Sequence, residues 1–166
     1  MVRVGITGHR GLSADVTERV TMMLRAELAD TPAGELVGVT CLADGADTLF
    51  AREVLARGGA LEVIVPASTY RDSLPGSHHA DYDEIMGRAG AVHELDYAES
   101  DSESHMAASV FMLTIIGELM AVWDGQPSRG YGGTADVVLE ARERAIPVRV
   151  VWPEGAAREH QVIRPR

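Results

Sequence analysis

The sequence predicts an α/β protein of three layers, with a mainly parallel central sheet and helices on both of its faces. Short apolar runs alternate with amphipathic stretches along the chain, which is the pattern of strand–helix–strand units. The apolar runs are continuous, as expected of parallel strands that are buried on both faces. Small or polar residues follow four of these runs, where parallel sheets carry their ligand-binding loops.

The first two strand–helix units are defined by their turns and caps. Residues 2–6 form a β-rich run, and Ser13 is the predicted cap of a helix over residues 14–28, in which apolar residues recur at helical spacing. Residues 36–42 form a second strand, and Asp47 is a candidate cap for the helix that follows it.

The middle of the chain contains a third strand at residues 61–65 and a long polar stretch at residues 67–81. A loop of that length in a compact domain is typically functional or mobile, so residues 70–79 are a candidate lid. A helix over residues 81–89 and a short strand over residues 91–95 complete this part.

The last units are a helix over residues 104–116, a strand over residues 119–123, a helix that begins at Thr134 and ends near residue 145, and a strand over residues 147–152. Together with the earlier units they complete an alternating series, which predicts a parallel sheet covered on both faces.

Residues 1–153 are expected to form one domain, and residues 154–166 a polar C-terminal tail. The N-terminus lacks the hydrophobic core of a signal peptide. The longest apolar stretch, residues 106–120, is too short and too polar to span a bilayer. The expected location is therefore the cytoplasm.

The chain is acidic, with 15 basic and 25 acidic side chains and a formal net charge of −10. That charge argues against a general attraction to nucleic acid or to an anionic membrane. Aromatic residues make up 5% of the chain, which argues against a base-stacking surface. The sequence thus predicts no nucleic-acid partner and no membrane partner. The single cysteine, Cys41, lies in an apolar run and is interpreted as a buried small hydrophobe.

A glycine-rich loop after the strand at residues 119–123 is the centre of the functional prediction. Its glycines precede the helix that begins at Thr134. Strand, glycine loop and helix is an arrangement that presents free backbone N–H groups to an anion. Thr134 can cap the helix or donate its hydroxyl to the ligand. A flexible loop before an ordinary capped helix is the alternative interpretation.

Polar residues at the end of the first strand are candidates for the same crevice. Arg10 offers a fixed charge and a fork of donors for a phosphate or carboxylate, or it pairs with Asp15 or Glu18 as a surface arginine. His9 is a candidate donor or acid–base group, or it satisfies nearby backbone groups.

Acidic residues at two other strand ends complete the candidate site. Asp44 and Asp47 flank Gly45 and can bind ribose hydroxyls, although a turn and a helix cap are the alternatives, and capping is favoured for Asp47. Asp124 either faces the crevice or caps the turn. Arg129 either closes over a phosphate or is solvated.

The histidines and aspartates between residues 78 and 83 lack the spacing of a metal site, so a solvated loop is the favoured interpretation. No metal and no cofactor is predicted. The predicted ligand-binding residues are Gly8, His9, Arg10, Asp44, Gly45, Asp124, Gly125, Arg129, Gly130, Gly132, Gly133 and Thr134.

Residues 4–10, 42–47, 122–125 and 132–134 resemble the Rossmann-like SLOG superfamily, which includes the Smf/DprA DNA-processing proteins and the lonely-guy phosphoribohydrolases. The resemblance extends over about residues 2–152. It implies a Rossmann-like fold that binds nucleotides or nucleotide-derived ligands, with the phosphate on the loop ending at Thr134, and it favours a homodimer.

The lonely-guy enzymes, which split the N-glycosidic bond of nucleoside monophosphates, carry a P-G-G-x-G-T-x-x-E motif. Aligning that motif on Gly133 and Thr134 places Val137 where their glutamate stands and Arg129 where their proline stands. Asp136 and Glu140 lie one position before and three positions after Val137, so neither takes the place of that glutamate. These departures, and the lack of a match to their catalytic arginine, argue against that hydrolysis.

The sequence predicts a protein that binds a nucleotide or nucleotide-derived ligand at the carboxyl edge of the sheet. Hydrolysis of the N-glycosidic bond of a nucleoside monophosphate is the candidate reaction, with Asp44, Asp124 and Asp136 as candidate catalytic carboxylates. A non-catalytic nucleotide-signal sensor or interaction module is the alternative.

Overall fold

The structure is a computed structural model that describes residues 1–158. Its strands are β1 (Val2–Gly8), β2 (Leu36–Thr40), β3 (Ala60–Val65), β4 (Ala91–Glu94), β5 (Glu118–Val122) and β6 (Val148–Val151). Its helices are α1 (Ala14–Leu28), α2 (Ala46–Ala56), α3 (Tyr70–Ser73), α4 (His79–Met86), α5 (Ser102–Ile115) and α6 (Thr134–Glu143).

The six strands form one parallel sheet in the order β4-β3-β2-β1-β5-β6. The chain leaves β1 through α1 toward β2 on one side, and leaves β5 through α6 toward β6 on the other. The loops after β1 and β5 therefore diverge, and a crevice opens between these strands at the level of Gly8 and Val122, which are paired in register.

Helices cover both faces of this sheet, which confirms the predicted three-layer α/β architecture. On one face, Val4 and Ile6 of β1 belong to a core cluster with Leu24 of α1 and Phe50 of α2. On the other face, the smaller cluster includes Leu119 of β5 together with residues of α5 and α6. The inner strands β1, β2, β3 and β5 contain runs of buried residues, as their continuous apolar runs predict, whereas the edge strand β4 contains none.

Helix α1 spans the predicted residues, and the Ser13 hydroxyl accepts the Val16 N–H at 3.2 Å as its cap. The capping role favoured for Asp47 is wrong. Gly45 is the N-cap of α2, and Asp47 lies inside the first turn, where its Oδ2 accepts the Ala43 N–H at 3.2 Å.

The polar stretch at residues 67–81 is folded, where the sequence predicts a loop. It contains α3, a 3-10 turn at Gly76–His78 and the start of α4. Tyr70 and Leu74 are each 4% exposed and belong to the larger core cluster. Two apolar side chains at i, i+4 spacing stabilise a helical turn even though polar residues surround them in the sequence.

Among the described residues, the helices are too short or too polar to cross a membrane.

Candidate functional site

A cavity of about 670 Å³ lies at the carboxyl ends of β1, β2 and β5. Its volume falls within the range of small-molecule sites. Nine predicted ligand-binding residues line it: Gly8, His9, Arg10, Asp44, Arg129, Gly130, Gly132, Gly133 and Thr134. Four other candidates lie outside its lining: Gly45, Asp124, Gly125 and Asp136. Pro66, which follows β3, lines the cavity as well, so the four loops identified from the sequence meet at one crevice.

The cavity is also lined by residues that the sequence analysis does not predict to bind the ligand, notably Tyr70, His105 and Arg158. They come from α3, from α5 and from the segment after β6, and no local motif marks them. Cys41 lines the cavity as well, and burial raises the pKa of its thiol. A protonated thiol agrees with the interpretation of Cys41 as a small hydrophobe rather than a nucleophile.

His9 connects the loops after β1 and β5. Its N–H donates to the Val122 carbonyl at 3.1 Å, and its ring Nε2 lies 3.0 Å from Asp124 Oδ1 and 3.1 Å from the Asp124 N. Its Nδ1 lies 3.4 Å from the Thr134 hydroxyl, and its ring packs edge-on against Trp152. Both ring nitrogens of His9 are thus held by contacts with residues on the other side of the crevice.

Burial and charge act in opposite directions on this pair. Burial lowers the pKa of His9, and Asp124 raises it less than burial lowers it, so His9 is largely neutral at pH 7. Burial raises the pKa of Asp124, but the Gln126 N–H, His9 and Arg158 together lower it below its usual value. Asp124 is therefore an ionised carboxylate held beside a neutral imidazole.

Arg158 reaches the crevice from the chain beyond β6. Its Nε lies 3.1 Å from Asp124 Oδ2, and its Nη2 donates to the Pro127 carbonyl at 3.2 Å. The Trp152 indole N–H donates to the Ala156 carbonyl at 3.1 Å, which turns this segment back toward the sheet. These contacts involve the first residues of the predicted C-terminal tail, 154–158. The rest of the tail, 159–166, lies outside the described residues.

Arg10 pairs with Asp44 rather than with Asp15 or Glu18. Its Nε donates to Asp44 Oδ1 at 2.8 Å, and its Nη2 lies 2.7 Å from the same oxygen. Both side chains line the cavity. The pair brings a guanidinium and a carboxylate to one wall, where ligand hydroxyls or an anion can reach them.

The glycine loop is held in shape by Asp136. Its Oδ2 accepts the Gly132 N–H at 2.9 Å, and its own N–H donates to the Ser128 hydroxyl at 3.2 Å. Gly132 has φ +83°, a conformation that favours glycine. Asp136 thus supports the loop from outside the cavity, which argues against its candidate role as a catalytic carboxylate.

Helix α6 points its N-terminus into the cavity. Gly133 is the N-cap and Thr134 is the first helical residue, so Thr134 does not cap the helix. The first N–H groups of a helix have no intrahelical acceptor, and a glycine cap has no side chain that can accept them. Within residues 1–158, the Ser128 hydroxyl accepts the Asp136 N–H, whereas the N–H groups of Thr134 and Ala135 have no acceptor. Gly133 and Thr134, at the start of α6, line the same cavity as Arg129 and Arg158.

The cavity differs in charge from the rest of the chain. Three arginines line it against two aspartates, whereas the whole chain carries −10. The helix N-terminus adds positive partial charge to the same space. This arrangement is suited to binding a small anion such as a phosphate group.

The candidate metal ligands between residues 78 and 83 face different partners. His78 Nε2 lies 3.0 Å from the Leu42 carbonyl, and Asp83 forms an ion pair with Arg71. Within residues 1–158, no three His, Cys, Asp or Glu side chains form a cluster that can hold a metal ion.

No model of a known protein family matches the chain, and no curated protein matches its sequence. Several solved structures nevertheless share its fold. DNA processing protein A from Streptococcus pneumoniae superposes with a TM-score of 0.64 at 19% identity, over 90% of this chain and 50% of that protein. DNA processing protein A from Helicobacter pylori, whose structure concerns its single-stranded DNA binding mode, superposes with a TM-score of 0.65 at 20% identity, over 90% and 64%. The Moco carrier protein from Chlamydomonas reinhardtii superposes with a TM-score of 0.52 at 17% identity, over 90% and 75%.

These similarities show that the chain shares the fold of these proteins, which include DNA processing proteins of the kind named in the sequence resemblance. The chain spans about half of the first DNA processing protein and 64% of the second. Because sequence identity is low, the fold is what they share, and their activities do not follow from it.

The prediction that excludes a nucleic-acid partner is wrong. A protein of the same fold, the Helicobacter pylori DNA processing protein A, binds single-stranded DNA. The exclusion relied on the scarcity of aromatic residues and on a net charge of −10, which sums the whole surface. A bound strand meets only the local potential of its groove, and this crevice carries three arginines.

Proposed function

We propose that the crevice binds a nucleotide or a nucleotide-derived small molecule, with its phosphate at the N-terminus of α6. The observation that carries this proposal is the meeting of that N-terminus with Arg129 and Arg158 in one cavity of an acidic protein. Backbone N–H groups at a helix N-terminus and guanidinium groups are both common binding groups for phosphate.

The rest of the cavity is suited to the sugar and the base. Arg10 and Asp44 offer donors and acceptors to ribose hydroxyls, and Tyr70 and Met112 offer apolar surface to a ring. A single phosphate therefore fills only one end of the space, and the ligand extends from α6 toward the loop after β2.

Cleavage of an N-glycosidic bond has less support than binding. Of the three candidate carboxylates, Asp44 lines the cavity but is paired with Arg10, and Asp124 is held by His9 and Arg158. Val137, which occupies the glutamate position of the lonely-guy motif, is buried. We therefore propose binding as the primary function, with hydrolysis as the finer hypothesis and a non-catalytic sensor as its alternative.

Single-stranded DNA is a second candidate ligand, because a DNA processing protein with this fold binds it. One thermal-shift screen separates the candidates, using nucleoside monophosphates, cyclic nucleotides, NAD, ADP-ribose and a short mixed-sequence oligonucleotide. A ligand at 100 times its dissociation constant stabilises a protein by about 2.7 kcal/mol. A shift with a small nucleotide supports the proposal, and free base after incubation supports hydrolysis. A shift with the oligonucleotide alone favours DNA as the ligand, and no shift with any compound contradicts both candidate ligands.

A homodimer and a cytoplasmic location stay predictions.

Gly133→Val is expected to weaken nucleotide binding at least about tenfold while the fold is retained. A Cβ at Gly133 lies 2.8 Å from Ser128 Oγ, so the serine that accepts the Asp136 N–H must move and the loop must shift. Affinity by calorimetry and helix content by circular dichroism measure the two effects. Gly76→Val, where a Cβ meets open space, is the control. Unchanged affinity in Gly133→Val would mean that the phosphate binds elsewhere.

Arg129→Ala is expected to weaken nucleotide binding about tenfold, because a charge-assisted hydrogen bond to phosphate is lost. The loss is expected to shrink as salt concentration rises, since Arg129 is exposed. The matched control is Arg88→Ala, which removes an exposed arginine whose ion pair with Glu84 lies outside the cavity. Equal affinities in the two variants would remove Arg129 from the proposed site.

A further inference from the structure

Asp47 occupies an unusual position in the wall of the cavity. Asp47 is only 8% exposed, yet it lines the cavity. Its Oδ2 accepts the Ala43 N–H at 3.2 Å, which ties the carboxyl group to the loop after β2. Within residues 1–158, Oδ1 accepts no hydrogen bond, and it is not among the polar atoms sealed from solvent. Oδ1 therefore opens toward the ligand space.

Charged and titratable groups of the neighbouring elements line the cavity together with Asp47. Those that interact electrostatically with it are Arg10 after β1, Cys41 and Asp44 after β2 and Tyr70 of α3, and His105 of α5 lines the same cavity. Arg10 is paired with Asp44, and within residues 1–158 no arginine forms an ion pair with the Asp47 carboxyl group. Among these residues, an ionised Asp47 therefore has one backbone hydrogen bond and no ion-pair partner, which is a costly state for a buried carboxylate.

Opposing effects place the pKa of Asp47 close to neutral pH, so a large fraction of the carboxyl group is uncharged there. Burial raises the pKa of Asp47 to about 7, and Asp44 adds to that rise, while the Ala43 N–H and Arg10 oppose it. A neutral carboxyl group has a hydroxyl that donates one hydrogen bond. It also adds no repulsion to a space where three arginines attract an anion.

We propose that Asp47 recognises the ligand in its protonated form, by donating a hydrogen bond from Oδ1 to an acceptor atom of the base or sugar. This inference rests on the proposed function and narrows the ligand class. It selects nucleotides that present a carbonyl oxygen or an unprotonated ring nitrogen toward α2. Asp47 is then a specificity residue, and ligand binding takes up a proton as the pH rises above neutrality.

The sign of the pH dependence follows directly. When only the protonated form binds, affinity is complete below the pKa of free Asp47 and falls about tenfold for each further pH unit above it. A carboxylate that receives hydrogen bonds from ribose hydroxyls has the opposite dependence, because binding then requires the ionised form.

Asp47→Asn tests the proposal, since an asparagine can keep the Ala43 contact through its carbonyl oxygen and places a permanent donor where the acid has its hydroxyl. Adenosine monophosphate is the probe, measured by calorimetry at about pH 6 and about pH 8.5. The two proteins are expected to bind it equally at the lower pH. At the higher pH the variant is expected to bind about 30-fold more tightly than the wild type.

The comparison between variants cancels the titration of the probe's phosphate and of the cavity histidines. Asp72→Asn, which neutralises an exposed carboxylate of α3, is the matched control and is expected to follow the wild type. A parallel pH profile in Asp47→Asn overturns the proposal. So does a tenfold or greater loss of affinity at both pH values, which would assign the ionised form to ribose recognition.

A measurement without ligand keeps the test independent of the proposed function. Carbon-13 NMR titration of the aspartate carboxyl groups, with Asp47→Asn for assignment, is expected to show Asp47 titrating near neutral pH. Titration in the ordinary range of aspartate, about pH 4, overturns the proposal even where adenosine monophosphate binds. Near-neutral titration together with no binding of any nucleotide would instead contradict the proposed function.

Discussion

Gly8→Ala is expected to destabilise the protein by about 3 kcal/mol, at the upper end of the usual cost of overpacking. A Cβ at this position would overlap the Cβ of Ala46 and would lie 2.8 Å from the Cβ of Val122. Both of these atoms are attached directly to backbone, so no rotamer change can relieve the clash. Helix α2 must move away from β1, and the crevice between β1 and β5 must widen with it.

Urea unfolding measures this loss, and Gly34→Ala provides the control. Nothing lies within 4 Å of a Cβ at Gly34, so that variant is expected to change stability by less than about 1 kcal/mol and in the stabilising direction. The same Gly8→Ala protein is expected to lose nucleotide affinity. Similar unfolding midpoints for the two variants would mean that α2 does not approach β1 and β5 this closely.

Asp124→Ala is expected to cost about 3 kcal/mol at neutral pH, the lower end of the range for breaking a buried charge pair. The Asp124 side chain is 10% exposed and joins His9 to Arg158, whose side chain is 15% exposed. Removing it leaves the guanidinium without its carboxylate and the Gln126 N–H without its acceptor. Asp15→Ala, which removes an exposed carboxylate from an i, i+4 pair with Arg19, is expected to change stability by less than about 0.5 kcal/mol.

The stabilisation from Asp124 is expected to depend on pH in the acid range. The pKa of Asp124 is lowered in the folded protein, so its contribution is present above the unfolded value of about 4 and is lost as the pH falls through the folded value. The free energies of unfolding of the wild type and of Asp124→Ala, measured in urea, are therefore expected to differ most at neutral pH and to become similar in acid. If the difference in free energy of unfolding stayed constant from neutral pH into acid, the charge of the Asp124 carboxylate would not contribute to stability.

Local patterns along the chain contain enough information for most of the fold. The cap at Ser13 and the apolar positions of α1 are short-range features, and the structure reproduces both. The continuous apolar runs likewise identify the strands, because burial on both faces removes the polar alternation. The sequence misses α3, since only Tyr70 and Leu74 indicate a helical turn in a polar stretch.

By itself the sequence determined the layered parallel fold and the strand ends at which a ligand crevice forms. Both follow from hydrophobic periodicity and from the rule that parallel strands present their loops at one edge. Only the tertiary structure decided which polar and charged groups meet there. Arg10 and Asp44 are 34 residues apart in the chain, and His9 and Asp124 are 115 apart. Contacts at such separations depend on the packing of whole strands and helices, and the burial that alters Asp47 depends on the same packing.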